Sequence, residues 1–429
     1  MNTKILIAAI AAVVVVGGVA AFCLTSGNDD SGTDGKDFDN QSGALMIYGN
    51  ANEDSVLDSK DLDMINSLIA SGTYLKTADA NMDGTVDSED AEIVKKLIAH
   101  ESTKAYYLDM TDGVTSFDYP ITSFMGVHQF VLIPMMAIGA LQYMDGYTLS
   151  DSGMKSALML QELFDTETNV CVSYNMVDVE KLASLTEKPK YIVAHSASLS
   201  NENKLEKSGI QIIHLNFGGF DGCVSAIRTM GFMLNLADEA QDYVKFTEDV
   251  QTYIQTEVLD KIDTSQKKSV MCGYMTNCID HINGTYTPMA VAAGARAVIE
   301  DSAANSTYVE FNRGDEWILG YNEDYFFYMN AWAYNEDIDE VEQYKKSADY
   351  FTTLKSYKSG HFVVFNSVLP PALMVAYMAE VLYPDLVGTG YGDETNQAFI
   401  NKYFPEFAKS FNASDYTFVI TYDMVKDDL

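Results

Sequence analysis

A pattern of oxygen-bearing side chains occurs twice near the start of this chain, and its spacing suits a hard cation. The segment Asn50-Ala51-Asn52-Glu53-Asp54-Ser55-Val56-Leu57-Asp58-Ser59-Lys60-Asp61 is matched, 29 residues on, by Asp79-Ala80-Asn81-Met82-Asp83-Gly84-Thr85-Val86-Asp87-Ser88-Glu89-Asp90. Each copy puts side-chain oxygens at loop positions 1, 3, 5, 9 and 12 and offers a backbone carbonyl at position 7, here Val56 and Thr85. Ca²⁺ takes about six to eight oxygens from a loop wrapped around it. The first ligand set is therefore Asn50, Asn52, Asp54, Val56, Asp58 and Asp61, and the second Asp79, Asn81, Asp83, Thr85, Asp87 and Asp90. Gly84 at position 6 permits a sharp turn. The first copy has Ser55 there, and neutral Asn50 stands where the second has an acid. Two Ca²⁺ sites are expected, the first weaker. A carboxylate at a helix start is also an ordinary N-cap, but that does not account for the whole pattern appearing twice.

Each loop runs into apolar residues at helical spacing: Leu62, Ile65, Leu68 and Ile69, then Ile93, Val94, Leu97 and Ile98. This loop–helix pair resembles a type I dockerin over roughly residues 46–99. The resemblance implies a small all-α module that binds one Ca²⁺ per loop and docks onto a cohesin-like surface partner. Its recognition positions 10 and 11 would be Ser59, Lys60, Ser88 and Glu89.

The whole chain sets limits on the rest. Its 429 residues carry 27 Lys plus Arg against 62 Asp plus Glu, a net charge of −35. That argues against nucleic acid as a partner and against an anionic membrane surface. The arginines are Arg228, Arg296 and Arg313, too few for a phosphate site built on several guanidinium forks. Apolar residues make up 47%, enough for packed cores in two or three domains. Ile5 to Leu24 is an uninterrupted apolar run behind Lys4, so residues 1–24 read as a signal or membrane anchor. Residues 25–43 read as a flexible acidic linker, and everything beyond as extracytoplasmic and tethered at the cell surface. Cys171, Cys223, Cys272 and Cys278 lack a zinc-finger spacing and are expected as buried thiols.

Beyond residue 105 the fold class is α/β. Short apolar runs at Tyr191–Ala194, Ile210–Leu215, Val270–Tyr274, Tyr325–Tyr328 and Phe362–Phe365 read as buried strands. Helical patterns lie between them, including Asp178 to Thr186 and Pro371 to Leu382. Leu236, Ala240, Val244, Val250, Ile254, Val258 and Ile262 form one apolar stripe without Gly or Pro, a helix of about 40 Å. The order of these elements resembles the class III solute-binding proteins of ABC importers, which serve ferric siderophores, haem and corrinoids. The motifs that carry the likeness are the helix start Asp178-Val179-Glu180-Lys181-Leu182 before the strand at 190–194, and the step Ser208-Gly209-Ile210. They continue with the second helix start Gly314-Asp315-Glu316-Trp317 and the closing Tyr383-Pro384.

The resemblance implies two Rossmann-like lobes joined by a long α-helix: an N-terminal lobe over 105–235, the helix over 236–262 and a C-terminal lobe over 263–429, behind the dockerin-like module at 44–101. It implies a metal chelate or tetrapyrrole held between the lobes and passed to a permease dimer, with Glu180 and Glu316 as docking carboxylates. No arginine cluster for an anionic siderophore is present. In such a fold ligands meet loops leaving the carboxyl ends of strands. The candidates there are Asp118, Tyr119, His128, His195, Ser196, Asn277, His281, Tyr286, Asn330, Trp332, Tyr334 and Asn366. His128, His195 and His281 also admit direct Zn²⁺ or Mn²⁺ binding. No Gly-x-Ser-x-Gly, His-Glu-x-x-His or phosphate loop is present, so the chain reads as a non-enzyme with no catalytic cofactor. A dockerin-bearing surface hydrolase using a carboxylate pair is the remaining alternative.

Overall fold

The computed structural model describes residues 38, 43–149, 168–173, 176–195, 199–274, 278–280, 282, 284–299, 308–310, 316–332 and 338–429. The expected anchor and most of the linker lie outside these residues. Among the described residues no helix is long and apolar enough to cross a membrane.

Both calcium-type loops open onto helices, Ser59–Ser71 and Ser88–Ile98. Asp58 and Asp87 are the N-caps, and Asp61 and Asp90 close capping boxes from the third helical position rather than opening the helices themselves. Ile65, Val94, Ala78, Ala80 and Ala91 pack between the two helices as a small core.

The module is not a separate bead on the chain. Its entry segment runs along an antiparallel hairpin made of β1 (Thr103–Leu108) and β2 (Val114–Tyr119). Tyr48 N donates to Tyr106 O at 2.9 Å and Leu108 N to Met46 O at 3.0 Å. Thr229 Oγ1 accepts from Met46 N at 3.1 Å, and the Arg228 guanidinium donates to Gly43 O. Leu45, Ile47 and Leu97 belong to the same continuous apolar core as both lobes.

The N-terminal lobe is built on a four-stranded parallel sheet in the order β4 (Met144–Thr148), β3 (Phe124–Val127), β7 (Tyr191–Ala194), β8 (Gln211–His214). β3 and β7 are buried along their whole length, as strands covered on both faces must be. A two-stranded ribbon, β5 (Cys171–Ser173) with β6 (Met176–Val177), lies beside it in sequence.

The C-terminal sheet has seven strands. Its order is β12 (Tyr308–Glu310), β10 (Cys278–Asp280), β9 (Ser269–Tyr274), β13 (Tyr325–Asn330), β14 (Phe362–Asn366), β15 (Val419–Ile420), with β11 (Arg296–Ala297) also on β9. Strands alternating with helices along the sequence imply parallel sheets. In this lobe β10, β12 and β15 pair antiparallel, so the sheet is mixed.

The interlobe helix spans Ala237–Ile254 and ends in a π-helical turn, Gln255–Leu259, instead of running as one α-helix to 262. Its buried face, Ala240, Tyr243, Val244, Thr247, Val250 and Ile254, keeps the helical spacing read from the sequence. Burying each large apolar side chain there contributes about 1.5–3 kcal/mol. Cys171, Cys223, Cys272 and Cys278 stand as thiols, two buried and two half-buried.

Candidate functional site

The two loops share a backbone plan. Glu53 and Met82, both at position 4, take positive φ of 58° and 56°. In each loop the position-12 carboxylate is buried and ties the loop ends together. Asp61 accepts from Asn52 N at 3.2 Å and Asp58 N at 2.9 Å. Asp90 accepts from Asn81 N at 3.1 Å and Asp87 N at 2.8 Å. Burial raises both carboxyls above their usual range, and neighbouring carboxylates add to it: Asp54 and Asp58 at Asp61, Asp79 at Asp90. A bound cation would relieve that cost.

Position 1 separates the loops. Asp79 is buried and accepts from Asp83 N at 3.1 Å and Gly84 N at 2.8 Å. Gly84 has φ of 91°, as the turn requires, whereas Ser55 at the same position is not among the positive-φ residues. Asn50 is buried and turns its amide nitrogen to Leu45 O and Asp54 O, each at 2.8 Å. Its Oδ1 is left buried without a hydrogen-bond partner, the kind of atom a cation would satisfy. Among the described residues no three His, Cys, Asp or Glu side chains converge as a metal-holding group. The donor set here mixes carboxylates with Asn amides and backbone carbonyls, which is oxygen chemistry suited to Ca²⁺. Ser59, Lys60, Ser88 and Glu89 are exposed.

The second site lies at the carboxyl ends of the N-terminal sheet. The register pairs Val127 with Ala194, so the residues that follow, His128 and His195, become neighbours. Their ring centroids are 4.3 Å apart. Phe130 meets both edge-on, at 5.0 and 5.5 Å. Burial lowers the His128 imidazole well below its usual range, helped by His195, and lowers His195 to about 4. Both rings are neutral at pH 7.

His128 has φ of 77° and ψ of 152°, a region that residues with a side chain rarely enter. Its backbone is held there by three bonds: His128 N donates to Thr148 O, and its carbonyl accepts from Val131 N and Leu132 N, each at 3.1 Å. Strain of this kind costs about 1–3 kcal/mol and is concentrated at functional sites.

Phe130, Ile133, Phe217, Tyr243 and Pro370 close around a void of only about 10 Å³, so the region that Phe130 joins on its other side is apolar and tightly packed. Phe130 and Phe217 were not singled out in the sequence; adjacency to the histidine loop was the available signal for Phe130.

From the C-terminal lobe, Tyr286 begins the helix Tyr286–Ala292 and stacks on Tyr274, the last residue of β9, at 5.9 Å. Asp280 anchors that helix start by accepting from Tyr286 N and Thr287 N, each at 2.7 Å.

Other expected cleft residues are placed differently. Trp332 is 5% exposed and its indole donates to Thr417 O at 2.6 Å, so it is a core side chain. Asn366 is fully buried and donates to Trp332 O at 3.1 Å. Asn330 reaches Ser347 Oγ at 3.2 Å, toward the helix Glu340–Ala348. Tyr119 is buried in the hairpin, stacked on Phe232, with its hydroxyl 2.9 Å from His100 Nδ1. Asp118 pairs with Lys190 at the surface. In each case a hydrogen bond or ion pair within the fold claims the side chain that sequence position assigned to the cleft. Ser196, Asn277, His281 and Tyr334 lie outside the described residues. Glu180 and Glu316 are exposed in the first turns of the helices Val179–Ser184 and Glu316–Leu319.

Residues 48–99 match the model of the Dockerin type I domain. No curated protein matches the chain. Among solved structures, CeuE of Helicobacter pylori with Ni(II) bound is similar at a TM-score of 0.55 and 14% identity, over 72% of this chain and 99% of that one. The molybdate periplasmic binding protein MolA of Haemophilus influenzae, bound to molybdate, is similar at 0.54 and 14%, over 70% and 98%. A periplasmic solute-binding protein of Veillonella parvula is similar at 0.50 and 16%, over 76% and 99%. The body of the molecule therefore has the fold of periplasmic solute-binding proteins, and a dockerin type I segment precedes it.

Proposed function

We propose that this chain is the extracytoplasmic capture subunit of an ABC importer, and that its ligand, a metal chelate or tetrapyrrole, sits between the lobes against His128 and His195. The observation that carries the reading is that pair: two neutral imidazoles side by side at the carboxyl ends of adjacent parallel strands, one on strained backbone. Neutral imidazole is a ligand for borderline metals and for an open axial position of a chelate. The half-buried ring of Tyr274, at the carboxyl end of its strand, suits a flat, partly apolar body, with the buried Tyr286 and Phe130 packed behind as support. The fold supports the transport role, and the Ni(II) and molybdate bound in CeuE and MolA fit a metal-centred ligand.

In this reading Glu180 and Glu316 meet basic groups of the permease, and their exposure supports that role. The dockerin segment holds Ca²⁺ at two sites, more weakly at Asn50 than at Asp79, and offers Ser59, Lys60, Ser88 and Glu89 to a cohesin-like partner. The chain's residues then have separate tasks: the loops hold the cation and shape the docking face, and the lobes bind and release cargo.

The test is native mass spectrometry of protein purified gently from its own cells, followed by titration with haem, a corrinoid and Ni²⁺. A bound metal-centred species that is lost in the His128→Ala, His195→Ala double variant is expected. Undiminished binding in that variant would overturn the assignment. Charge reversal at Glu180 and Glu316 should abolish uptake while leaving binding intact.

A further inference from the structure

The C-terminal lobe has a second hollow that the proposed transport role does not use. It is a cavity of about 610 Å³, within the usual range for small-molecule sites. It lies at the amino ends of the strands, opposite the interlobe cleft. Tyr325 is the first residue of β13, and His361 directly precedes β14. Across from them stand Tyr377, Glu380 and Val381, on one face of the second half of the helix Pro371–Leu382, and Pro384, which opens the next short helix, Pro384–Val387.

The lining is aromatic and acidic. His361 stacks on Tyr325 with centroids 4.6 Å apart and planes 16° from parallel. Tyr377 and Phe418 pack at 5.5 Å and Tyr416 and Phe418 at 6.4 Å. Two half-buried carboxylates are fixed in orientation by the fold. Glu380 accepts from Gly390 N at 2.7 Å and Gly392 N at 2.8 Å. Asp393 accepts from the Tyr377 hydroxyl at 2.7 Å, and Asn396 Nδ2 donates to that hydroxyl at 3.3 Å. Gly392 makes this possible, because a Cβ there would lie 2.1 Å from the Tyr377 ring. Asp423 stands at the rim, paired with Lys426 at 2.9 Å. Among the described residues that line the cavity, none is Lys or Arg.

We infer that this cavity is a binding site for a small organic cation, a di- or polyamine with an apolar spacer. Ammonium groups interact favourably with aromatic faces and with oriented carboxylates, and the spacer meets the ring walls. A bare metal ion is a poorer match. The volume far exceeds one ion, and the aromatic walls offer it no ligand atoms.

The competing explanation is diffuse attraction of cations to a chain of charge −35. Calorimetric titration of the full chain with spermidine and with 1,4-diaminobutane, at about 0.15 M salt where surface charge is largely screened, separates the two. One saturable site is expected, weakened at least about tenfold by Asp393→Asn and by Thr389→Lys, and unchanged by His195→Gln. Thr389 is an exposed lining residue, so its variant adds charge at the mouth without disturbing the core. Three results would each overturn the inference: no saturable site up to millimolar amine, equal affinity in the parent and Thr389→Lys, or tighter binding of a neutral disaccharide than of either amine. The cleft proposal stands or falls separately, through the histidine variants.

Discussion

The calcium-type loops and the histidine pair gather polar groups in opposite ways. Each loop draws its donors from twelve consecutive residues and locks them with a carboxylate at its own far end. The histidines come from two strands far apart in sequence and meet only because the register of β3 on β7 puts them side by side. A loop can therefore be damaged or improved by one local change, whereas the pair depends on the whole sheet. This difference can be tested from both ends.

The largest effect is expected at Asp90. Replacing it with Ala leaves two backbone N–H groups without their acceptor, at about 1–3 kcal/mol each. In chelator the variant should lose about 2–4 kcal/mol by denaturant titration, and the second loop should no longer respond to Ca²⁺. Ligand retention in the cleft should not change; if it falls, the two sites are coupled and the contrast fails.

Asn50→Asp should act in two directions. The new carboxylate cannot make the donations to Leu45 O and Asp54 O, a loss of about 1–3 kcal/mol in the metal-free chain. The added charge should tighten the first loop's hold on Ca²⁺ at least severalfold. Calorimetry with and without calcium reads both; a variant no tighter than the parent would show that Ser55, not Asn50, limits this loop.

The histidines predict a pH dependence. Their folded pKa lies below the unfolded value near 6.5, with His195 at about 4. Between those values the unfolded chain takes up protons that the folded rings refuse, so stability falls as pH drops from about 6.5 to about 4. Because the rings are partly exposed, a loss of about 1–2 kcal/mol is expected after screening. Replacing both with Gln should flatten that slope, measured by melting at stepped pH. The smallest effect is expected from Tyr119→Phe, which removes the hydroxyl beside His100 and should cost about 0.5–1.5 kcal/mol.

The same contrast explains what the sequence made legible. Loop ligands, helix starts and the 29-residue offset are local features, and they were readable. The strands β7, β13 and β14 were readable because strands buried on both faces are continuous apolar runs. The antiparallel strands β10, β12 and β15 carry only two or three residues each, too few for a pattern. No Gly or Pro marks the π-helical turn at 255–259. Trp332 was misplaced because its hydrogen-bond partner, Thr417, is 85 residues away. The stacked Tyr325 and His361 gave no signal either, since the two residues belong to the starts of different strands.

The entry segment at 46–48 is hydrogen-bonded to β1 like an extra strand, and Arg228 clasps Gly43 from the lobe side. This joint works as a bracket and not as a hinge. A partner gripping the helix starts at Ser59, Lys60, Ser88 and Glu89 would hold the body at a set angle, and the mouth between the lobes would point in one direction.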